Sequence, residues 1–277
     1  MISRAGTGPA AIQQLTLFSL AWGIGLAAGP SIGAWVYDIW GFNTVGASCG
    51  LFSLVGTFGA LLVPPVLRHT ARHVDDVEGS EPQKGIRGSL RRSFGSSVVI
   101  GVMVSSFVNL YVQSLRLSFY PLFLQQGGVS VSSIGLLLST IGVSSLAVRL
   151  VLPAIIRNFG MVKPLIWSTW IAILGVSITP LSTNPILLVV GALMMGVGLG
   201  ANPPITVSLL ARSRERDLGV AVGLRMVVNR SAQVVQPLVF GGMAAVIGLA
   251  IAFPVSGVLL GATAIWMARR LRSSDDR

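Results

Sequence analysis

Long apolar stretches, separated by short polar segments, follow one another along almost the whole chain. A helix needs roughly 20 apolar residues to cross a bilayer, because it rises only about 1.5 Å per residue. Read at that length, the pattern predicts about eight membrane-spanning helices. They cover residues 15–37, 42–63, 98–124, 132–156, 165–178, 185–210, 218–245 and 249–267. We therefore expect an all-α, polytopic transmembrane helical bundle.

The positive residues outside the predicted spans lie on alternate connections. One set of segments carries Arg4; Arg68, Arg72, Lys84, Arg87, Arg91 and Arg92; Arg157 and Lys163; Arg212, Arg214 and Arg216; and Arg269, Arg270, Arg272 and Arg277. The other connections, residues 38–41, 125–131, 179–184 and 246–248, contain no Lys or Arg. Cytoplasmic loops hold the excess of positive charge. We therefore expect a multi-pass plasma-membrane protein of the bacterial inner-membrane type, with both termini cytoplasmic.

Residues 64–95 differ from the rest because they mix both signs of charge and include His69 and His73. This composition predicts a solvated cytoplasmic linker between a helix pair in residues 1–63 and six helices in residues 96–277. The two histidines are four residues apart, but a metal site needs further ligands. We expect them to be solvated, and we predict no metal site.

The composition excludes several classes of protein. Hydrophobic residues make up 52% of the chain and charged residues 10%, with a mean hydropathy of +0.78. Cys49 is the only cysteine, which rules out an intrachain disulfide. The net charge of +11 is spread over short segments, so nucleic acid is not an expected partner. No buried carboxylate pair, nucleophile set or phosphate-binding loop stands out, and we expect neither an enzyme nor a cofactor.

The first span contains Gly25, Gly29, Pro30 and Gly33 in the pattern Gly-x-x-x-Gly-Pro-x-x-Gly. This spacing places the three glycines on one helical face, which permits close helix contact, and the proline permits a kink. On the glycines alone, a general packing face is the simpler interpretation. The seventh span repeats one feature, because Pro237 precedes a glycine by eleven residues, as Pro30 does. In both cases we predict that the glycine lies in the turn to the next span.

The glycine pattern resembles the antiporter motif of the fifth helix in major facilitator drug exporters, with Ala34 in place of one glycine. Residues 153–163 resemble a degraded form of the signature between helices eight and nine of that superfamily. Phe159, Gly160 and Lys163 match it, whereas Arg157 replaces its acidic residue. The resemblance covers nearly the whole chain and implies helices five to twelve, with the first four missing.

These transporters consist of two six-helix halves related by a repeat, and they work by alternating access. The resemblance therefore implies that residues 1–63 are a remnant of the N-terminal bundle and residues 96–277 the C-terminal bundle. It also implies a secondary active transporter, an exporter of drugs or metabolites, with a small-molecule substrate, a possible coupling ion and the lipid bilayer as its partners.

Four arginines lie within predicted spans: Arg116, Arg149, Arg225 and Arg230. An arginine at the bilayer centre costs about 2.5–3.5 kcal/mol on insertion scales, so such residues face the bundle interior or water. Two helical polar stripes include them, Asn109, Gln113, Arg116 and Tyr120 in the third span and Arg225, Asn229, Gln233 and Gln236 in the seventh. The predicted substrate-binding residues are Asn109, Gln113, Arg116, Arg225, Asn229 and Gln233. Arg149 is expected to reach the headgroups instead.

The nine acidic residues all lie in loops, at the termini or, for Asp38, at the end of a span. The arginines' partner must then be an acid on the missing helices, a backbone carbonyl at a kink, or an anionic substrate. The last option predicts an organic-anion carrier. A truncated, non-transporting membrane fragment is a third possibility. In the sixth span, Asn202, Pro203 and Pro204 predict a bent or broken helix, either as a gating hinge or for close packing.

Overall fold

The computed structural model describes residues 9–62, 96–181, 184–213 and 218–275, and within these ranges every regular element is a helix. The α-helices are α1 (Pro9–Leu62), α2 (Ser97–Gln126), α3 (Val131–Phe159), α4 (Val162–Ile178), α5 (Pro185–Ser213), α6 (Leu218–Ile247) and α7 (Leu249–Asp275). A short 3-10 turn, Thr179–Leu181, follows α4. The predicted linker of residues 64–95, its two histidines, and Arg214 and Arg216 lie outside the described residues.

Two glycines end helices at the places that the sequence predicted. Gly41, with φ 77° and ψ 177°, interrupts α1 and divides it into two limbs, residues 9–40 and 42–62. Gly248, with φ 82°, separates α6 from α7. A side chain with a Cβ is strained at such positive φ values, and glycine is not. The two limbs of α1 and the six helices that follow therefore correspond to the predicted spans.

Five of the described helices are long and apolar enough to cross a membrane: residues Gly23–Gly59, Ser97–Gln126, Val131–Phe159, Pro185–Arg212 and Leu249–Leu271. The first of these ranges contains both limbs of α1. Helix α4 is apolar but has only 17 residues, a length of about 26 Å. Helix α6 is long enough but is not among the five, and it is the helix that carries Arg225 and Arg230.

Helices α2 and α6 lie side by side and run in the same direction. Their contacts join Ser106 to Arg225, Ser114 to Gln236 and Phe119 to Phe240, so residue numbers rise together along both helices. An even number of reversals must therefore lie between them. This direction agrees with the alternation that the positive residues predicted.

The first limb of α1 packs against α3 and runs in the opposite direction. The residues that meet are Gly23 with Leu146, Ala27 with Gly142, Ser31 with Ser139, and Asp38 with Ser132. Residue numbers fall on one helix as they rise on the other, so the pair is antiparallel. Among the described elements, α3 is the one that α1 contacts.

Helices α2 to α7 pack into one bundle. Its largest fully buried side chains include Tyr120, Phe240 and Phe253. The rings of Phe240 and Phe253 meet edge to face with centroids 5.0 Å apart, a favourable aromatic geometry. These residues lie near the ends of α2 and α6 and the start of α7. The aromatic cluster therefore fills the bundle at the end where the predicted connections carry no positive charge.

Helix α5 passes through Pro203 and Pro204 without interruption, so the predicted local break does not occur. Both prolines lack an N–H and cannot donate to the carbonyls four residues earlier. Next to them, the Thr206 hydroxyl donates to the carbonyl oxygens of Asn202 (3.0 Å) and Pro203 (2.9 Å). Neighbouring helices also hold α5 in place, since a Cβ on Gly198 would lie 2.5 Å from the backbone nitrogen of Ala172 in α4. Such packing lets a membrane helix tolerate proline.

Candidate functional site

The contact between α1 and α3 is close because α3 presents glycines to α1. A Cβ on Gly142 would lie 2.6 Å from the Cα of Ala27, and a Cβ on Gly135 would lie 2.7 Å from the carbonyl oxygen of Pro30. Both distances are below normal van der Waals contact. The backbones of the two helices therefore touch, as in other small-residue interfaces between membrane helices.

Hydroxyl groups join the same two helices. The backbone amide of Ser31 donates to Ser139 Oγ at 3.1 Å, and the Ser31 hydroxyl donates to the same atom at 2.6 Å. Further along, the Ser132 hydroxyl donates to the carboxylate of Asp38. Asp38 thus lies at the first turn of α3, where the helix dipole favours a negative charge. The interface has a polar bond at its middle and a charged one at its end.

The three glycines of the first-span motif are not at this interface. No described atom lies within 4 Å of where a Cβ would be on Gly25, Gly29 or Gly33. These glycines therefore make no close helix contact with the described residues, and their role as a packing or gating motif stays a prediction. Pro30 and the small Ala34 lie at the contact instead. Each directly follows a motif glycine in the sequence and therefore points to a different side of the helix.

Arg225 and Gln236 join α6 to α2. Arg225 is 8% exposed, and its Nε donates to Ser106 Oγ at 3.1 Å. Gln236 is fully buried, and its Oε1 accepts from the hydroxyls of Ser114 at 2.8 Å and Ser118 at 3.4 Å. The two predicted polar stripes therefore belong to contacting helices. The described hydrogen bonds between the two helices join stripe residues of α6 to serines of α2, and do not join one stripe to the other.

Several polar atoms of the stripes are buried with unused hydrogen-bonding capacity. Arg116 is 3% exposed, and neither its Nε nor the Tyr120 hydroxyl has a partner among the described residues. The same holds for Asn229 Oδ1 and Gln236 Nε2. A buried polar group without a partner costs about 1–3 kcal/mol. Such groups on adjacent helices can supply contacts to a polar ligand.

The remaining predicted site residues lie at different depths. Asn109 is 6% exposed, whereas Gln113 and Gln233 are half-buried. Gln233 accepts a hydrogen bond of 2.8 Å from Nη1 of Arg230, which is exposed. Arg230 therefore binds within its own helix and does not point into the α2–α6 contact. Arg149 is half-buried, with no partner for its Nε among the described residues, and its reach to the headgroups stays a prediction.

The charge of the buried arginines is not balanced by a neighbouring carboxylate. Within the spans, Asp38 is the sole acidic residue whose side chain the structure describes, and it binds Ser132 in α3. No salt bridge joins Arg116 or Arg225 to any described side chain. Both arginines are thus buried without a described carboxylate beside them.

A second buried polar cluster connects α2, α4 and α5. Asn202 is 1% exposed, and its Nδ2 donates to Ser105 Oγ at 2.6 Å. The Ser105 hydroxyl also lies 2.9 Å from Thr169 Oγ1, which donates to the carbonyl of Leu165. Asn202 Oδ1 has no partner among the described residues. The cluster of Asn202, Ser105 and Thr169 thus joins three helices, and the role of Asn202 in a hinge stays a prediction.

Sequence reasoning missed the serines and the threonine of both clusters. Ser105, Ser106, Ser114 and Thr169 are common residue types in membrane helices, and a hydroxyl can bond to its own backbone. Their partners were therefore not visible from residue type. One signal was present, since Ser106, Ser114 and Ser118 recur at steps of eight and four on the third span, a helical spacing.

Comparison with known proteins gives one family. A family model described as Major Facilitator Superfamily matches residues 9–161 and also residues 102–277. The two matches overlap and together extend from the start of α1 to the end of the chain. No curated protein matches the sequence.

Proposed function

Since this chain belongs to the Major Facilitator Superfamily, a family of membrane transporters, we propose that it is a secondary active transporter of small solutes that works by alternating access. We further propose that it exports drugs or metabolites. The proposal places the moving contact between the first limb of α1 and the bundle of α2 to α7. The proposal of export is based on the antiporter-like pattern in the first span.

One observation carries the proposal. Among the described elements, the first limb of α1 meets the six-helix bundle through α3 alone, across glycines and serines. Most of the side chains at this contact are small, which lets the two backbones approach closely, so tilting one body against the other displaces few large residues. Alternating access requires such a rocking contact between bundles around a central site.

Locking the α1–α3 contact should stop transport. We expect the Ser31→Cys, Ser139→Cys pair, in a Cys49→Ser background, to form a disulfide, because the two hydroxyl oxygens are 2.6 Å apart. Proteoliposomes with an imposed H⁺ or Na⁺ gradient should carry ethidium when the pair is reduced and stop when it is oxidised. The Ser31→Cys single variant is the control. Transport that continues in the fully oxidised pair contradicts alternating access at this contact.

A second candidate function is an organic-anion carrier, and the uncompensated charge of Arg116 and Arg225 favours it. Arginine binds carboxylate and phosphate oxygens through several N–H groups at once. Both side chains are at most 8% exposed, so an anion beside them would be removed from water and held more strongly than at a surface. The two candidates differ in their substrate and share the same transport cycle.

A further inference from the structure

An apolar groove lies on the surface of the bundle between α2 and α7. It is lined by Val104 and Phe107 of α2 and by Ala262, Thr263 and Trp266 of α7, and its volume is about 520 Å³. This volume is within the range of small-molecule sites. The Thr263 hydroxyl donates to a carbonyl of its own helix at 2.7 Å. The groove therefore offers no free hydroxyl proton and suits a hydrocarbon ligand.

One end of the groove is positively charged. Arg269 and Arg270 follow Ala262 and Thr263 by seven residues each, two helical turns, so all four share a face of α7. The guanidinium carbon of Arg270 lies 5.0 Å from the ring centroid of Trp266. This cation–π contact holds the charge directly beyond the groove's aromatic wall. Both arginines are exposed.

The groove opens to the surroundings of the bundle and not to its interior. Trp266 is 45% exposed, while its neighbour Met267 is fully buried in the core. A Cβ on Gly101 would lie within 2.7 Å of the Leu271 side chain, so the C-terminal end of α7 packs against the start of α2. In a membrane-spanning helix an exposed apolar face meets lipid. The groove thus faces one leaflet, and Arg269 and Arg270 lie at its headgroup end.

We propose that this groove binds an anionic phospholipid, with an acyl chain between Phe107 and Trp266 and the phosphate at Arg269 and Arg270. The apolar lining matches the chain, and the arginines match the phosphate geometry. Basic residues next to a membrane helix bind anionic lipids, which are enriched in the cytoplasmic leaflet. A tryptophan at the junction of the two regions fits the preference of its ring for the interface. This site is separate from the proposed transport site.

The proposal predicts which lipids bind. We expect the full chain, purified in detergent, to bind short-chain phosphatidylglycerol at least about fivefold more tightly than phosphatidylcholine with the same acyl chains, by isothermal titration calorimetry. Inorganic phosphate at the same concentrations should not bind, because it lacks the acyl chain. Equal affinity for the two lipids overturns the charged end of the site. Binding of phosphate as tight as that of phosphatidylglycerol overturns the groove.

Three variants separate the groove from general surface charge. Arg270→Gln should weaken phosphatidylglycerol binding about fivefold and leave phosphatidylcholine unchanged. Ala262→Phe should fill the groove and weaken both lipids, and Val104→Phe should do the same from the α2 side. Arg157→Gln is the matched control, since Arg157 is exposed in the last turn of α3, a helix whose described residues do not contact α7, and it should change neither affinity.

Two results would overturn the proposal. An equal loss in Arg157→Gln and Arg270→Gln would show that the lipid responds to surface charge alone. Unchanged binding in Ala262→Phe and Val104→Phe, each with an unaltered melting temperature, would show that no chain occupies the groove. Using two groove variants protects the test against one of them failing to fold.

Discussion

Serine hydroxyls form several of the hydrogen bonds between helices inside this bundle. Ser106, Ser114 and Ser105 each bind a longer polar side chain from another helix. The longer groups, Arg225 and Gln236, are thereby fixed in place while keeping donors to spare. Hydrogen bonds between membrane helices contribute about 0.6 kcal/mol on average. These pairs therefore orient the arginine and the amide more than they stabilise the fold.

Arg225 provides the sharpest test of substrate charge. We expect Arg225→Gln to weaken uptake of carboxyfluorescein, an anion, about tenfold or more, because a hydrogen bond to a charged group contributes about 1.5–3 kcal/mol. Ethidium uptake should change much less, since a cation gains nothing from the arginine. The measurement is initial uptake into proteoliposomes. An equal loss for both dyes would exclude anion recognition by this side chain, and Arg157→Gln serves as the control for an exposed arginine.

The pairing of α1 with α3 depends on glycines in α3 and not on the motif glycines of α1. Gly142 meets Ala27, whereas nothing lies within 4 Å of a Cβ on Gly25 or Gly29. An added side chain therefore has opposite consequences at Gly142 and at the motif glycines. At Gly142 it must push the backbones apart, and at Gly25 or Gly29 it enters space that no described atom occupies.

Substitution of Gly142 should separate the two helices. We expect Gly142→Val to lower the yield of the disulfide between Ser31→Cys and Ser139→Cys severalfold, because the new Cβ would lie 2.6 Å from Ala27. Gly29→Ala, also in a helix of the same contact, should leave the yield unchanged. The yield is read from the shift in gel mobility after mild oxidation. A disulfide that forms equally well in both variants would contradict the observed packing.

The helices alternate in direction along the chain, as a multi-pass membrane protein requires. Parallel α2 and α6, and antiparallel α1 and α3, both follow from the residues that meet. The aromatic cluster of Phe240 and Phe253 and the basic C-terminal end of α7 consequently lie at opposite ends of the bundle. Which end faces the cytoplasm is a prediction from the positive residues.

Cysteine labelling tests that orientation. In the Cys49→Ser background we expect Gln126→Cys, at the end of α2, to react with a membrane-impermeant maleimide in intact cells. Asn158→Cys, at the end of α3, should react only after the membrane is opened. Both positions are exposed, so access depends on the side of the membrane. Reaction of both in intact cells would refute the alternation, and the reverse pattern would invert the orientation.

The helices could be predicted from the sequence because a helix that crosses a bilayer must consist of a long apolar run. The turns at Gly41 and Gly248 were predictable for a local reason, since their positive φ suits glycine. The arginines stood out because charge is costly in a membrane.

Which helices and side chains contact one another was not predictable from the sequence. Gly142 meeting Ala27, Ser106 meeting Arg225, and α5 continuing through Pro203 all depend on which helices touch. Those contacts join residues distant in sequence, and the packing of the whole bundle decides them.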